Sequence, residues 1–306
     1  MADYILSCSS TVDATPEWLE ERDIHFVYFN YWLDGKPLKD DFGKTNAPAE
    51  LYSKMLSGVE AKTSQVGVGE YVEYFEGFLK EGKDILHLTL DSGISGTINA
   101  AETARDLLAP KYPERKIYTI DSLTATAGYA LLMDKLAELK ADGMDIDQLA
   151  GWAEDHKREV HVWFESSDLT FFIMGGRISK AAGLIGGMLN VCPIMDIEPD
   201  GTLAVKEKAR GKRRALRRLT DIIGELGQGK QAYDQKVFVT HSECMGDALA
   251  VKKMVEESFP QLAEEVSVFD IGATIGVHTG PGTVVVGFWG TPREDTARGP
   301  KLPKRL

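Results

Sequence analysis

The chain has 306 residues, 43% hydrophobic and 27% charged, the composition of a globular protein with more length than one core needs. Thirty-five Lys and Arg against 47 Asp and Glu leave a net charge of −12, which weighs against nucleic acid or an anionic membrane as main partner. Three cysteines are too few for a disulfide framework and lack metal-type spacing, and no stretch reaches the roughly 18 apolar residues of a membrane span. A cytoplasmic protein without metal or secretory signal is expected, with at most transient membrane contact.

Short, β-rich apolar runs occupy residues 4–7, 26–31, 85–90 and 117–120, each ending at polar or glycine residues. Helical patterns cover 69–80, 100–108 and 123–140; in the second, Ala100, Ala104, Leu107 and Leu108 recur at helical spacing. Strand, turn and helix in repetition predict an α/β domain over residues 1–160, with a parallel sheet flanked by helices and ligands at the strand ends. Past residue 160 the runs at 160–164, 169–173, 191–197 and 203–208 read as strands with short connections, and Pro199-Asp200-Gly201 as a turn. With a helix over 213–226 and a strand over 237–240, they predict a C-terminal α+β domain, 161–290, whose sheet is mostly antiparallel. Residues 291–306 are expected to be a basic mobile tail.

Several segments carry chemistry. Thr63-Ser64-Gln65 precedes a helix, where its hydroxyls either cap the helix or join its N–H groups in holding an anion. Asp91-Ser92-Gly93-Ile94-Ser95-Gly96-Thr97 links a strand to a helix, with Ser95 either a cap or a ligand donor. It lacks the lysine of a phosphate loop and the spacing of a dinucleotide fingerprint, so a nucleotide is disfavoured. Gly175-Gly176-Arg177-Ile178-Ser179 opens a small-residue helix over 180–189. Each interior glycine there costs about 1 kcal/mol, offset by close packing or by a ligand. Arg177 either pairs with a carboxylate or fixes the turn. A basic run including Arg210, Arg213, Arg214 and Arg217 is either a solvated face or a docking site for an acidic partner. Finally, Gly276-Val277-His278-Thr279-Gly280-Pro281-Gly282 reads as a glycine loop. It offers an imidazole and a hydroxyl as hydrogen-bond donors and has no partnered nucleophile nearby.

Together these segments resemble the DegV family of bacterial fatty-acid-binding proteins, over nearly the whole chain. The resemblance rests on Lys62-Thr63-Ser64-Gln65, Ser92-Gly93-Ile94-Ser95-Gly96-Thr97, Asp121-Ser122 and Gly175-Gly176-Arg177-Ile178-Ser179, in that order. Pro193-Ile194, Lys208-Ala209-Arg210-Gly211 and Gly276 to Gly282 complete it. It implies a carrier whose long-chain fatty acid is buried, with the carboxylate held by Thr63, Ser95, His278 and Thr279; a monomer is the default expectation. Ser64, Ser92, Gly96 and Arg177 are secondary candidates, Arg177 near the mouth or the seam between domains. The family implies no catalytic base and no cofactor besides the bound lipid, which is presented to a separate fatty-acid kinase. The alternative is a dihydroxyacetone-kinase-like enzyme in which His278 binds a small carbonyl substrate. Val66 and Asp91 depart from the family's usual proline and hydroxyl residue, as does Ser7-Cys8-Ser9-Ser10-Thr11 from its N-terminal pattern. A carboxylate at 91 is compatible with a carboxylate ligand only if it points away.

Overall fold

In the computed structural model, residues 3–179 and 190–293 are described; the expected helix over 180–189 and all but the first residues of the expected tail lie outside them. The N-terminal half begins with β1 (Tyr4–Ser9), α1 (Pro16–Glu21) and β2 (Ile24–Val27). Next come β3 (Asn30–Leu33), β4 (Lys36–Lys39), α2 (Pro48–Leu56) and β5 (Ala61–Ser64). After α3 (Val68–Lys80), β6 (Asp84–Thr89), α4 (Thr97–Leu108) and β7 (Ile117–Asp121) follow the long α5 (Thr126–Ala141) and α6 (Ile146–His156). The strands order as β2-β1-β6-β7, every neighbour parallel. Every residue of β6 is buried, as expected of a central strand covered on both faces.

The expected single strand over 26–31 is two strands in two sheets. β2 pairs with β1, while β3 pairs antiparallel with β4 and β5 in a small separate sheet. The reading failed because apolar residues run unbroken across a change of direction at Tyr28 and Phe29.

The second half contains β8 (Val160–Ser166), α7 (Thr170–Met174), β9 (Val191–Ile197) and β10 (Leu203–Arg210). It continues with α8 (Lys212–Leu226), β11 (Val237–His241), α9 (Met245–Ser258), β12 (Ser267–Asp270), α10 (Ala273–Thr279) and β13 (Thr283–Trp289). Six strands order as β10-β9-β8-β13-β11-β12, antiparallel except for β11 with β12. The segment expected as a strand at 169–173 is helical. Asp168 accepts from the Thr170 N–H at 2.8 Å and the Ile173 N–H bonds the Leu169 carbonyl, so local capping overrides the apolar run.

Helix α5 sits between the two larger sheets, nearly all of its residues buried. One hydrophobic core runs from β1 through α5 to Val285 and Trp289. Alternate β13 residues, Val284, Val286 and Phe288, join a second core against α8 and α9. A third, smaller core joins Tyr31, Tyr52 and Val277, seating α10 on β3 and α2.

Candidate functional site

The sequence around His278 folds as helix rather than loop. Gly272 precedes α10, and left-handed backbone is confined to Gly280 (φ +65°) and Gly282 (φ +92°) just beyond it. Gly276 is required for packing, since a Cβ there would overlap the Tyr52 hydroxyl. The helix start is fixed by two buried carboxylates from distant parts of the chain. Asp13 accepts from the Gly272 N–H at 3.0 Å, and Asp40 from the Ala273 and Thr274 N–H groups at 2.9 and 3.1 Å. Burial raises the pKa of both acids, in Asp13 reinforced by Asp40 alongside.

His278 is thereby set against β5, where its Nε2 and the Thr63 hydroxyl share a 2.7 Å hydrogen bond. Its Nδ1 is buried without a partner and faces Gly175, where no Cβ would fit. Burial, reinforced by Arg177, lowers the imidazole pKa to about 4, so the ring is neutral near pH 7. Neither Thr63 nor Ser64 caps the following helix. Both lie in β5, and Gly67 takes the cap position, its N–H bonded to Glu70 at 2.7 Å. Strand alternation separates the two hydroxyls, and of the pair only Thr63 lines the cavity described next.

That cavity, about 140 Å³, lies between the carboxyl ends of β6 and β7 and the face of the six-stranded sheet. It has room for on the order of ten water-sized spheres. Its walls are mostly apolar: Phe29, Leu90, Ile94, Phe164, Phe172 and Val285 among them, with Phe164 and Phe172 stacked at 5.9 Å. Thr63, Ser95, Gly96, Arg177, His278 and Thr279 all line it. Gly96 takes the cap position of α4, and the Ser95 oxygen before it accepts from the Thr97 N–H at 3.3 Å, so Ser95 can still donate its proton. The Thr279 hydroxyl is directed to the Gly280 carbonyl at 3.1 Å. Ser64 and Ser92 are not in the wall.

Arg177 spans the site. It donates to the Ile94 carbonyl at 3.3 and 3.2 Å and to the Gly175 carbonyl, joining the β6–α4 loop to the segment after α7. Half-buried, it forms no ion pair with any carboxylate among the described residues, and burial lowers its pKa. Thr63, Arg177 and His278 also line an outer groove of about 730 Å³, rimmed by the exposed Leu56 and Met174. These three residues therefore stand at the neck between groove and cavity.

Asp91 points away from the cavity. It accepts from the Gly93 N–H at 2.8 Å against Gly201, and burial pushes its pKa up to about 7. Sequence reasoning missed Thr126, Thr274 and Thr283 in the wall, each a threonine flanked by apolar or glycine residues, which leaves little local signal. Gln65, part of the Thr63-Ser64-Gln65 segment but not named as a site residue, also lines it. Arg210, Arg213, Arg214 and Arg217 are exposed and form no ion pair with a described residue, whereas neighbouring Arg218 is held by Glu207 and Glu225.

Comparison with known proteins adds a lineage. A family model described as uncharacterised protein, DegV family, matches residues 8–290. A DegV domain-containing protein of Clostridium perfringens is 31% identical over 294 residues, 96% of this chain and 100% of the relative. The crystal structure of a stearic acid-binding protein from Eubacterium ventriosum is similar with a TM-score of 0.81 at 27% identity, covering 93% of this chain and 97% of that one. The Streptococcus pneumoniae fatty acid kinase B3 protein, solved with linoleic acid, shares the fold with a TM-score of 0.82 at 20% identity, over 94% and 99% of the two chains.

Proposed function

This chain belongs to the DegV family, and on that premise we propose that it binds a long-chain fatty acid, head at the neck and chain in the cavity. The observation that carries this reading is Arg177: a half-buried guanidinium without a carboxylate partner among the described residues, beside a neutral imidazole and two hydroxyls. A desolvated, unpaired cation favours an anion, and the apolar cavity beyond favours a hydrocarbon. A fatty acid supplies both. The stearic acid-binding relative agrees with it.

Thr63 and Ser95 donate to the carboxylate, and His278 acts on it through Thr63. A neutral imidazole has one N–H, and the tautomer carrying it on Nε2 leaves an acceptor, rather than the costlier N–H, unpaired at Nδ1. His278 then donates to the Thr63 oxygen, which turns the Thr63 proton toward the ligand. With Nε2 donating to a hydroxyl and Nδ1 closed in by Gly175, the imidazole serves as a donor rather than as a covalent nucleophile. The chain is thus a carrier. Burial of ~14 methylenes contributes on the order of 11 kcal/mol before ordering and association costs, so the chain sets affinity and the polar neck sets orientation. Neutral donors suit a head group that a partner must later modify. We take that partner to be a fatty-acid kinase, reached through the outer groove and docked on Arg210, Arg213, Arg214 and Arg217.

Protein purified from a bacterial host, denatured and extracted, should release a C14–C18 fatty acid near one per chain by mass spectrometry. A delipidated preparation that binds no long-chain fatty acid overturns the reading.

A further inference from the structure

Three threonines in the cavity wall, Thr126, Thr274 and Thr283, have buried hydroxyls without a hydrogen-bond partner among the described residues. Thr274 and Thr283 belong to α10 and the start of the strand after it, at the His278 end. Thr126, 4% exposed, stands apart at the start of α5. Its backbone is left-handed, φ +49°, a conformation that β-branched residues rarely adopt. Such strain persists only where the surroundings impose it. Here they do: a Cβ on Gly287 would lie 2.7 Å from Ala127 and Gly128 backbone atoms, and one on Gly128 would overlap Val162. The first turn of α5 is pressed onto β13 and β8, which fixes where Thr126 stands.

The strand register gives its depth. Across β13 and β8, Thr283 pairs with Ser166, Val285 with Phe164 and Gly287 with Val162. Thr283 lies just past the helix carrying His278, so the Gly287–Val162 pair is four residues farther along, roughly 14 Å at ~3.4 Å per residue. Thr126 is beside that pair. Val162, Ala125 and Val285 of the wall are apolar, and Thr126 sets a hydroxyl on the α5 side of the cavity, away from the helix that carries His278. A buried hydroxyl left unpaired is destabilising, and a ligand that pairs it recovers the loss.

We propose that Thr126 is a second polar subsite, for an oxygen carried on the acyl chain, and that the ligand class is hydroxy or oxo fatty acids. This rests on the fatty-acid reading of the neck and adds a chain substituent to it. The ligand oxygen accepts from the Thr126 hydroxyl, while Thr63, set by His278, and Ser95 hold the carboxylate a fixed distance away. The two contacts together select one position of the oxygen along the chain.

The test uses the delipidated full-length chain, titrated calorimetrically with stearate, oleate and hydroxystearates bearing the hydroxyl at successive carbons. One positional isomer is expected to bind best, tighter than stearate. Thr126→Val should reduce the preference for that isomer over stearate roughly fivefold to tenfold, and Thr126→Ser should restore the preference. Thermal melting of each variant separates loss of the contact from loss of fold. Stearate outbinding every isomer, with a ranking that Thr126→Val does not alter, overturns the proposal while keeping the fatty-acid reading; the hydroxyl then holds only water. A preference for oleate that Thr126→Val removes overturns it as well, giving the hydroxyl to a double bond. Binding of none of these lipids overturns both readings.

Discussion

Gly175 decides where His278 points. A Cβ at 175 would overlap Nδ1, so alanine there must push the ring off its 2.7 Å bond to Thr63. The backbone of Gly175 is right-handed (φ −74°), which alanine adopts freely, so Gly175→Ala is expected to spare the fold. Fatty-acid affinity should fall on the order of tenfold, with a smaller change in melting temperature. Calorimetric titration checks this, and an unchanged affinity would refute the role given to the ring. At this scale Thr63, Ser95, Arg177 and His278 were legible, because hydroxyls, imidazole and guanidinium among glycines are chemically unusual wherever they fall. Which of the neighbouring hydroxyls face the cavity was not. Ser64 faces away from the cavity because it is one strand position from Thr63, and the Thr279 hydroxyl is directed to a carbonyl.

At the scale of elements, α10 is too short and glycine-rich to be stable alone, and its start depends on Asp13 and Asp40. Asp40→Ala strands two N–H groups, so a stability loss of about 1–3 kcal/mol is expected in urea unfolding, together with weaker fatty-acid binding through displacement of His278. Asp40→Asn, which keeps an acceptor oxygen, should lose less. Equal stability in wild type and Asp40→Ala would remove these acids from the account. Nothing local announced this arrangement, since Asp40 lies more than 230 positions from the groups it binds. The central strands and long helices were legible because their apolar periodicity is itself the cause of their burial. The strand expected at 169–173 and the capping alternative at Thr63-Ser64 failed for the converse reason. Four apolar residues and a threonine fit either element, and pairing with Tyr31 across β3 and β5 drew Thr63 into a sheet.

For the whole molecule, the surface divides labour. Helix α8 buries Ala215, Leu216 and Leu219 against the six-stranded sheet and presents Arg213, Arg214 and Arg217 to solvent, away from the apolar cavity's lining. Reversing the charge of these three arginines should therefore leave the extracted lipid unchanged and abolish phosphoryl transfer to it by an added fatty-acid kinase. Loss of lipid in the variant, or kinase activity at the wild-type rate, would contradict that separation. What the sequence alone determined was the class of fold, the kinds of residue at the site and the resemblance that joins them, because composition and periodicity are properties of neighbours along the chain. What only the tertiary structure decided was the lack of a carboxylate partner for Arg177 among the described residues, the neutral ring of His278, the outward turn of Asp91 and the Thr126 hydroxyl without a described partner. Each is a statement about burial and missing partners, and partners are chosen by packing between residues far apart in the chain.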